Sequence, residues 1–467
     1  MQGFGNTGGA SMRLTGQELM LASQGEWIND GLPEVIEGIG TDTRQFTTGH
    51  AFLALRGPYF DGHAYAHQVV DRAAALIGDQ QGVKAWQSLP TPQLRVQDTL
   101  RSLGDIASFY RSRLSHTKVV AITGSYGKTT VRSMLEHVLR GLGLEVAATI
   151  QNLNNLIGVP QTLLATKMSA DVALIECGIS EPGEMLRLSE IVQPDIAIIT
   201  GLSQAHAEGL GGFEGVVREK SQLLTHLTHC GWGMLGAGVA GQFEAIGFTP
   251  AQMVRSMDDK DAVAWYLKGR CLTLAYQEET ANLELCLPAK HWAEDMALTA
   301  TVTFGLLKDL GQTFSLHEIA SILQSWQPVE GRMSVIPLPA FTLIDDAYNA
   351  NPTSMQAALD TLAALEGYRI AMIGDMLELG DDAQALHHAL NLHDIDEVIT
   401  VGRLSQGVQA KYPEKNIRAF HDVEALLLWL QAEQFPRRGS TVLLKASHGT
   451  GLYRAAEVLK QRGQHAV

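Results

Sequence analysis

The segment GSYGKTT offers the clearest chemistry in this sequence, because it combines two glycines with a lysine and two threonines. It follows the β-branched run KVVAIT and precedes a stretch of helical period that Gly143 closes. Between a strand and a helix, backbone N–H groups can hold phosphate oxygens, with Lys128 neutralising the β and γ phosphates and the Thr129 hydroxyl binding Mg²⁺. The residues predicted to bind a nucleotide in this loop are Gly124, Ser125, Tyr126, Gly127, Lys128, Thr129 and Thr130.

This loop is a shortened form of the usual phosphate-binding pattern. The usual pattern has a glycine five residues before Gly127, and that position holds Ile122. A glycine-rich turn with a chance G-K-T is the alternative interpretation, but the flanking strand and helix favour nucleotide binding. The shortened spacing, together with the absence of a guanine-reading N-K-x-D segment, argues against an ordinary GTPase or kinase.

Two further polar residues follow strand-like runs. Glu176 ends the run VALIE and His206 follows the run IAIIT, so both lie at the carboxyl ends of predicted parallel strands, where open α/β sheets gather ligands. Alone, such a glutamate is more often a cap or ion-pair partner, and such a histidine a satisfied polar residue. Their joint placement beside Thr129 predicts a Mg²⁺ site. Spacing alone gives Lys220 the appearance of a solvated helix lysine.

Strand-like runs alternate with helical stretches along most of the chain. In the first block, the apolar run at residues 51–55 and an Ala-rich stretch at 66–78, expected to be helical, suggest a small α/β domain. From Lys118 the alternation predicts a mostly parallel sheet covered on both faces, and near Gly331 a second doubly wound block begins. The predicted fold class is α/β with three domains, at residues 12–112, 113–330 and 331–467.

Composition narrows the classes of function. The 35 Lys plus Arg residues face 50 Asp plus Glu, and the net charge of -15 argues against nucleic-acid or anionic-membrane binding. The four cysteines form no C-x-x-C pair, which favours a reducing cytoplasm. No apolar run approaches the roughly 18 residues of a membrane span, so no membrane insertion is expected.

Six motifs in this chain resemble the Mur ligases in their order and spacing. Two of them, NLNNLIGVP and DDAYNANPTSM, look like the member of that family that adds D-alanyl-D-alanine to a UDP-linked muramoyl tripeptide. Ahead of them, GTDTRQFTTGHAFLALRG resembles the N-terminal UDP-binding domain of that enzyme. The six motifs are GSYGKTT, QNLNNLIGVPQTLL, IECGISEPGEM, AHAEGLGGFEGVVREKSQLL, DDAYNANPTSM and GDMLELG.

This resemblance implies a reaction and a division of labour among the domains. It implies an N-terminal UDP-sugar-binding domain, a central ATP-binding domain and a C-terminal Rossmann-like domain that brings the amine. The implied enzyme is a cytoplasmic, ATP-dependent amide ligase of peptidoglycan precursor synthesis, and a monomer is expected. Its substrates would be UDP-N-acetylmuramoyl-tripeptide and D-Ala-D-Ala, joined through an acyl phosphate with ATP and two Mg²⁺ ions.

Roles for single residues follow from the same resemblance. Lys220 matches the lysine that Mur ligases carbamylate, so that a cation becomes an oxygen ligand for the second metal. The implied catalytic residues are Lys128, Glu176, His206 and Lys220, and the implied metal ligands are Thr129, Glu176, His206 and Lys220. Beyond the loop, the implied nucleotide-binding residues are His291, Arg332, Asp346 and Asn349, and the implied substrate-binding residues are Thr43, Arg44, Asn154 and Asn155.

One departure from the family pattern affects the expected base-binding site. Where relatives have G-x-H-N, with the asparagine on adenine, this chain has Trp292 after His291. Its indole could stack on the base or belong to the core, and core packing is the preferred interpretation. Two other functions stay open from the sequence: a Mur-like ligase acting on another carboxylate and amine, and a non-catalytic paralogue that binds UDP-sugars or nucleotides.

Overall fold

The computed structural model describes residues 12–29, 31–204, 207–250, 253–432 and 435–465. Its strands form four sheets that follow one another along the chain, and helices cover them. The expected α/β class with three domains is confirmed. Within the described residues, no helix is long and apolar enough to cross a membrane.

The N-terminal domain is built on a five-stranded sheet with the order β1-β5-β4-β3-β2, in which only β1 is antiparallel to its neighbour. Its elements are α1 (Gly16–Ser23), β1 (Glu26–Trp27), β2 (Ile39–Gly40), β3 (Ala51–Leu53), β4 (Ala75–Gly78), α2 (Gln80–Ala85), β5 (Gln93–Arg95) and α3 (Thr99–Arg111). The helix expected at residues 66–78 is wrong. A 3-10 helix ends at Gln68, and the apolar end of that stretch is β4, whose residues are all buried. A short buried apolar run has the same appearance in a strand and in a helix.

Helix α3 packs on the N-terminal domain and on the central domain at once. Its apolar residues belong to one continuous core that extends from Leu19 of α1 to Leu188 of the central domain. At its end, the Tyr110 hydroxyl donates to the Thr166 carbonyl at 2.7 Å. The buried Arg111 guanidinium pairs with Asp195 at 2.8 Å. These contacts fix the two domains against each other.

The central domain contains a six-stranded parallel sheet with the order β11-β10-β9-β6-β8-β7. Its elements are β6 (Lys118–Thr123), α4 (Lys128–Gly141), β7 (Val146–Ala148), α5 (Gly158–Ala165), β8 (Val172–Glu176), α6 (Glu184–Val192), β9 (Ile196–Ile199), α7 (Ala207–Leu210), α8 (Gly212–Ser221), β10 (Trp232–Leu235), α9 (Val239–Ala245) and β11 (Val254–Ser256). The strands β8, β6 and β9 are neighbours, so the loops that follow their carboxyl ends meet at one edge.

A three-stranded antiparallel sheet, which the sequence analysis missed, follows the parallel one. It consists of β12 (Ala264–Lys268), β13 (Cys271–Tyr276) and β14 (Glu279–Glu284), and it is followed by α10 (Lys290–Asp309) and α11 (Leu316–Leu323). Its signal is the alternation of exposed and buried residues, with Leu272 and Leu274 turned to the core. Gly269, with φ 59°, makes the tight turn between β12 and β13.

The C-terminal domain is a doubly wound unit with the strand order β15-β16-β20-β17-β18-β19, in which only β15 runs antiparallel. Its elements are β15 (Ser334–Pro337), β16 (Thr342–Asp346), α12 (Pro352–Ala363), β17 (Tyr368–Gly374), α13 (Ala383–Ala389), β18 (Glu397–Val401), α14 (Val408–Lys411), β19 (Asn416–Phe420), α15 (Val423–Ala432), β20 (Ser440–Lys445) and α16 (Tyr453–His465). The N-terminus of α12 faces the central domain, because its cap residue Asn351 bonds to the loop after β6.

Candidate active site

The glycine-rich loop joins the end of β6 to the start of α4. Gly127, with φ 82°, is the N-cap of that helix, and this left-handed conformation favours glycine. A Cβ atom on Gly124 would lie 2.2 Å from the Thr200 hydroxyl, so only glycine fits there. The loop therefore presents the N-terminus of α4, whose first N–H groups have no partner within the helix, to the space above the sheet.

Every carbonyl oxygen of this loop is held by a donor. These bonds satisfy the carbonyl oxygens and fix the conformation of the loop. The four bonds are Lys128 Nζ to the Gly124 oxygen at 2.6 Å, Asn351 Nδ2 to the Ser125 oxygen at 3.1 Å, the Thr200 hydroxyl to the Tyr126 oxygen, and the Val131 N–H to the Gly127 oxygen at 2.8 Å.

A cavity of about 760 Å³ opens above the loop. Residues of the central and C-terminal domains line it together, so the site is complete only where these domains meet. Among the residues predicted from the sequence, those on its wall are Ser125, Tyr126, Gly127, Lys128, Thr130, Asn154, Asn155, Glu176, Lys220, His291, Arg332, Asp346 and Asn349. Gly124 and Thr129 lie beneath this lining, and His206 lies outside the described residues.

Lys128 begins α4 and lies within the cavity wall. Loss of water around its ammonium group lowers its pKa, and the nearby Arg332 lowers that pKa further, while Glu176 opposes both effects. An anionic ligand in the cavity would reverse this shift, because it would compensate two closely placed cations. The arrangement suits a polyphosphate.

Glu176 and Thr129 form an oxygen-rich group under the loop. The Thr129 hydroxyl lies 3.0 Å and 3.2 Å from the two carboxylate oxygens of Glu176, and both residues are buried. The Asn154 amide also donates to Glu176 at 3.1 Å. Carboxylate and hydroxyl oxygens are the ligands that Mg²⁺ prefers, so these residues fit a magnesium ion beside the phosphates. The described residues contain no group of three His, Cys, Asp or Glu side chains that could hold a metal.

Lys220, at the end of α8, is buried, with 1% of its surface exposed. The solvated lysine that spacing alone suggests is therefore wrong. Burial, reinforced by Lys128, moves the pKa of Lys220 well below its usual range. The side chain lies on the cavity wall, and its burial favours the neutral amine over the ammonium form.

The C-terminal domain contributes a cation and an ion pair to the cavity. The Arg332 guanidinium lies over the Tyr348 ring, 4.2 Å from its centre. Asp346 pairs with Lys445 at 2.6 Å and accepts a bond from the Met333 N–H at 3.0 Å. Arg332 therefore lines the cavity with its guanidinium stacked on Tyr348, whereas Asp346 is held in an ion pair.

Thr43 and Arg44 lie in a 3-10 helix of the N-terminal domain and do not line this cavity. Arg44 is exposed and pairs with Asp42 at 2.6 Å, and the Thr43 hydroxyl donates to Gln68 at 2.8 Å. Just before them, Gln161 of α5 donates to the Thr41 hydroxyl at 2.8 Å. The predicted substrate-binding residues therefore belong to two separate groups.

Comparison with known proteins places this architecture in a family. Residues 122–302 match the model of the Mur ligase middle domain, and residues 331–448 match that of the Mur ligase, glutamate ligase domain. The UDP-N-acetylmuramoyl-tripeptide--D-alanyl-D-alanine ligase of Escherichia coli is 31% identical over 450 residues, which cover 93% of this chain and 96% of that enzyme. The chain belongs to the Mur ligase family.

Two other proteins are similar to this Mur ligase over most of its length. The ligase of the same name from Haemophilus influenzae is 32% identical, over 86% of this chain and 89% of that enzyme. A crystal structure of MurF from Acinetobacter baumannii superimposes with a TM-score of 0.82 at 30% identity, over 97% of this chain and all of that one. The similarity therefore includes the N-terminal domain, which neither family model covers.

In this Mur ligase, Trp292 packs in the core. It is 2% exposed, and its ring meets that of Trp326 edge-on at 5.6 Å. The Trp326 indole in turn donates a hydrogen bond to the hydroxyl of Ser133 in α4 at 2.9 Å. This burial agrees with the preferred interpretation of Trp292, and its aromatic contacts stabilise the wall behind the nucleotide cavity.

Sequence analysis missed two carboxyl groups of α10, the helix that also contains Trp292. Glu294 and Asp295 lie one turn after His291 and line the cavity beside Tyr126 of the loop. Burial raises the pKa of both groups, and Glu294 raises the pKa of Asp295 further. Their signal in the sequence is their position three and four residues after His291, which places them on the same face of a helix.

His291 is held as a neutral imidazole. Its Nδ1 atom is buried and has no hydrogen-bond partner among the described residues. Burial, with a smaller effect of the Lys445 charge, lowers the pKa of His291 to about 4. The imidazole therefore lines the cavity as a neutral ring, and its Nδ1 has no partner among the described residues.

We expect a His291→Asn variant to lose less stability than the wild type on going from about pH 7 to about pH 5. The imidazole binds a proton in the unfolded chain near its ordinary pKa of 6.5, but in the folded protein only near 4. Acidification through this window therefore removes roughly 1–2 kcal/mol of the free energy of unfolding from the wild type alone. Urea unfolding at both pH values measures this, and equal losses in the two proteins would contradict it.

Proposed function

We propose that this Mur ligase joins D-Ala-D-Ala to UDP-N-acetylmuramoyl-tripeptide at the expense of ATP, in peptidoglycan precursor synthesis. One observation carries the proposal: the phosphate loop, the buried Lys220 and Arg332 of the C-terminal domain line a single cavity. The relatives that bear this enzyme name match the chain over nearly its full length. The cytoplasm is the proposed compartment and a monomer the proposed state.

The chemistry follows from the poor electrophilicity of a carboxylate. A terminal carboxylate oxygen of the tripeptide attacks the γ-phosphorus of ATP, and ADP leaves. The amine of D-Ala-D-Ala then attacks the acyl carbon, phosphate departs with the C–O bond electrons, and the amine releases a proton. Lys128 and Arg332 stabilise the charge that develops on the transferring phosphoryl group. The enclosing C-terminal domain excludes the water that would hydrolyse the acyl phosphate.

Magnesium would be held under the loop by Thr129 and Glu176, with His206 proposed as a further ligand. Its chemistry there is to neutralise phosphate oxygens and to align them. The geometry of Glu176 supports this role, because Asn154 and Thr129 already orient its carboxylate. The further proposed contacts to the nucleotide come from His291, Asp346 and Asn349.

Lys220 is proposed to carry a carbamate. Carbamylation needs a neutral amine, which attacks carbon dioxide, forms an N–C bond and releases a proton. Burial favours such an amine, because it moves the pKa of Lys220 well below its usual range. The carbamate would bring two anionic oxygens to a second Mg²⁺ ion, whereas an ammonium group would repel it.

The domain roles are proposed with boundaries at residues 12–112, 113–330 and 331–467. The first would bind the UDP-sugar through Thr43 and Arg44, and the second would bind ATP. Asn154 and Asn155, on the cavity wall, would contact the peptide end of the same substrate. The third would bring D-Ala-D-Ala to the cavity.

Phosphate release from ATP tests the proposed function. With UDP-N-acetylmuramoyl-tripeptide present, we expect turnover that depends on added D-Ala-D-Ala and yields the pentapeptide product by mass spectrometry. Turnover only with a different carboxylate and amine would assign the chain to another ligation. Nucleotide binding without turnover under any of these conditions would make it a non-catalytic paralogue.

A further inference from the structure

The Asn351 side chain makes one hydrogen bond within the C-terminal domain and one to the central domain. It is the N-cap of α12, where its Oδ1 accepts from the Ser354 N–H at 2.9 Å. Its Nδ2 donates to the Ser125 carbonyl of the phosphate loop at 3.1 Å. The residue is buried, with 6% of its surface exposed. A residue of the C-terminal domain thus reaches the backbone of the loop that would hold ATP.

The Ser125 carbonyl differs from the other carbonyls of the loop in the origin of its donor. The oxygens of Gly124, Tyr126 and Gly127 are held by groups of the central domain itself. For Ser125, the donor belongs to the C-terminal domain. Without Asn351, the peptide between Ser125 and Tyr126 could rotate, because its carbonyl would have no side-chain donor. The rotated oxygen would face phosphate oxygens and repel them.

We propose that Asn351 is a positioning residue that completes the phosphate loop when the C-terminal domain docks on it. The inference rests on the proposed function, because it assumes that ATP reacts in this cavity. The bond from Asn351 to Ser125 would couple phosphoryl transfer to the domain that would bring the amine. The loop would then adopt its reactive conformation only when that domain is docked. Asn351 acts through Ser125 and needs no contact with the substrate.

The double role of Asn351 makes the two functions separable by substitution. Serine and aspartate are as good N-caps as asparagine, so Asn351→Ser and Asn351→Asp keep the helix cap. Serine is too short to reach Ser125, and aspartate replaces the donor by an anion that faces a carbonyl oxygen. Asn351→Ala removes both interactions. The three variants therefore distinguish capping from loop positioning.

For Asn351→Ser we expect an unchanged Tm and a kcat about 5–10-fold lower, the size expected for loss of one hydrogen bond that acts in the transition state. Asn351→Asp should lose more, because of the added repulsion. Asn351→Ala should match the kcat of the serine variant but unfold a few degrees lower, because the cap is lost. ATP affinity, measured by calorimetry, should change much less than kcat.

The outcomes separate this inference from the proposed function. Wild-type kcat in a folded Asn351→Ser variant would overturn it. A kcat that falls only in Asn351→Ala, together with its Tm, would reduce Asn351 to a helix cap. A wild type that releases no phosphate from ATP with the proposed substrates would refute the proposed function instead, whatever the variants do.

Discussion

Lys128→Ala is expected to lower kcat about 10³-fold or more while the fold stays intact. The ammonium group faces the cavity rather than an apolar core, and removing one preorganised charge at a developing anion costs factors of about this size. Stability should be unchanged or slightly higher, because loss of water already lowers the pKa of the Lys128 ammonium, so its charge is destabilising in the empty cavity.

Phosphate release and thermal unfolding, measured on the same preparation, test this expectation. Lys268→Ala is the matched control, because Lys268 is exposed on the antiparallel sheet. It should keep wild-type turnover. Turnover close to that of the wild type in a folded Lys128→Ala variant would remove the loop from the mechanism.

Lys220→Ala is expected to be nearly inactive and to regain activity with millimolar formate or acetate. The truncation would remove the proposed carbamate ligand, and a small carboxylate could occupy the vacated space and supply oxygens to the metal. Lys220→Arg is the informative companion variant. Its guanidinium keeps a cation and fills the site, so it should be inactive and should not respond to carboxylates.

Mass spectrometry of the wild type under carbon dioxide gives an independent measurement. An added mass of one carbon dioxide, absent in both variants, would support the carbamate. Full activity in Lys220→Ala would leave the lysine without a role in the reaction. An inactive alanine variant that no carboxylate restores would count against the carbamate.

The phosphate loop could be predicted from sequence because its structure is local. A β-branched strand, a glycine turn and a helix follow one another within residues 118–141, and each imposes its conformation on a few neighbours. The same holds for the strand that ends at Glu176, because its residues 172–175 are a continuous apolar run. The helix expected at residues 66–78 failed because a short buried strand contains the same residue types.

Long-range contacts could not be predicted in this way. Lys220 has the spacing of a surface lysine, and only the packing of α8 against α6 and α7 in the folded protein buries it. The sequence of Asn351, followed by Pro352, indicates a helix cap, but its partner Ser125 lies 226 positions earlier. The antiparallel sheet had a readable alternation, yet its place beside the nucleotide cavity depends on contacts with α10.

The packing of α3 affects the length of ligand that could extend from the N-terminal domain into the cavity. Since its apolar residues join the cores of the first two domains, those domains form one rigid body. The exposed turn at Arg44 and the cavity at Lys128 therefore lie at a fixed separation. A ligand bound at the turn could place its far end in the cavity only if its length matched the distance between these two sites. The two domains together would therefore select ligands by length. A ligand that made the proposed contact at Arg44 but was one residue shorter or longer would not place its reactive group in the cavity.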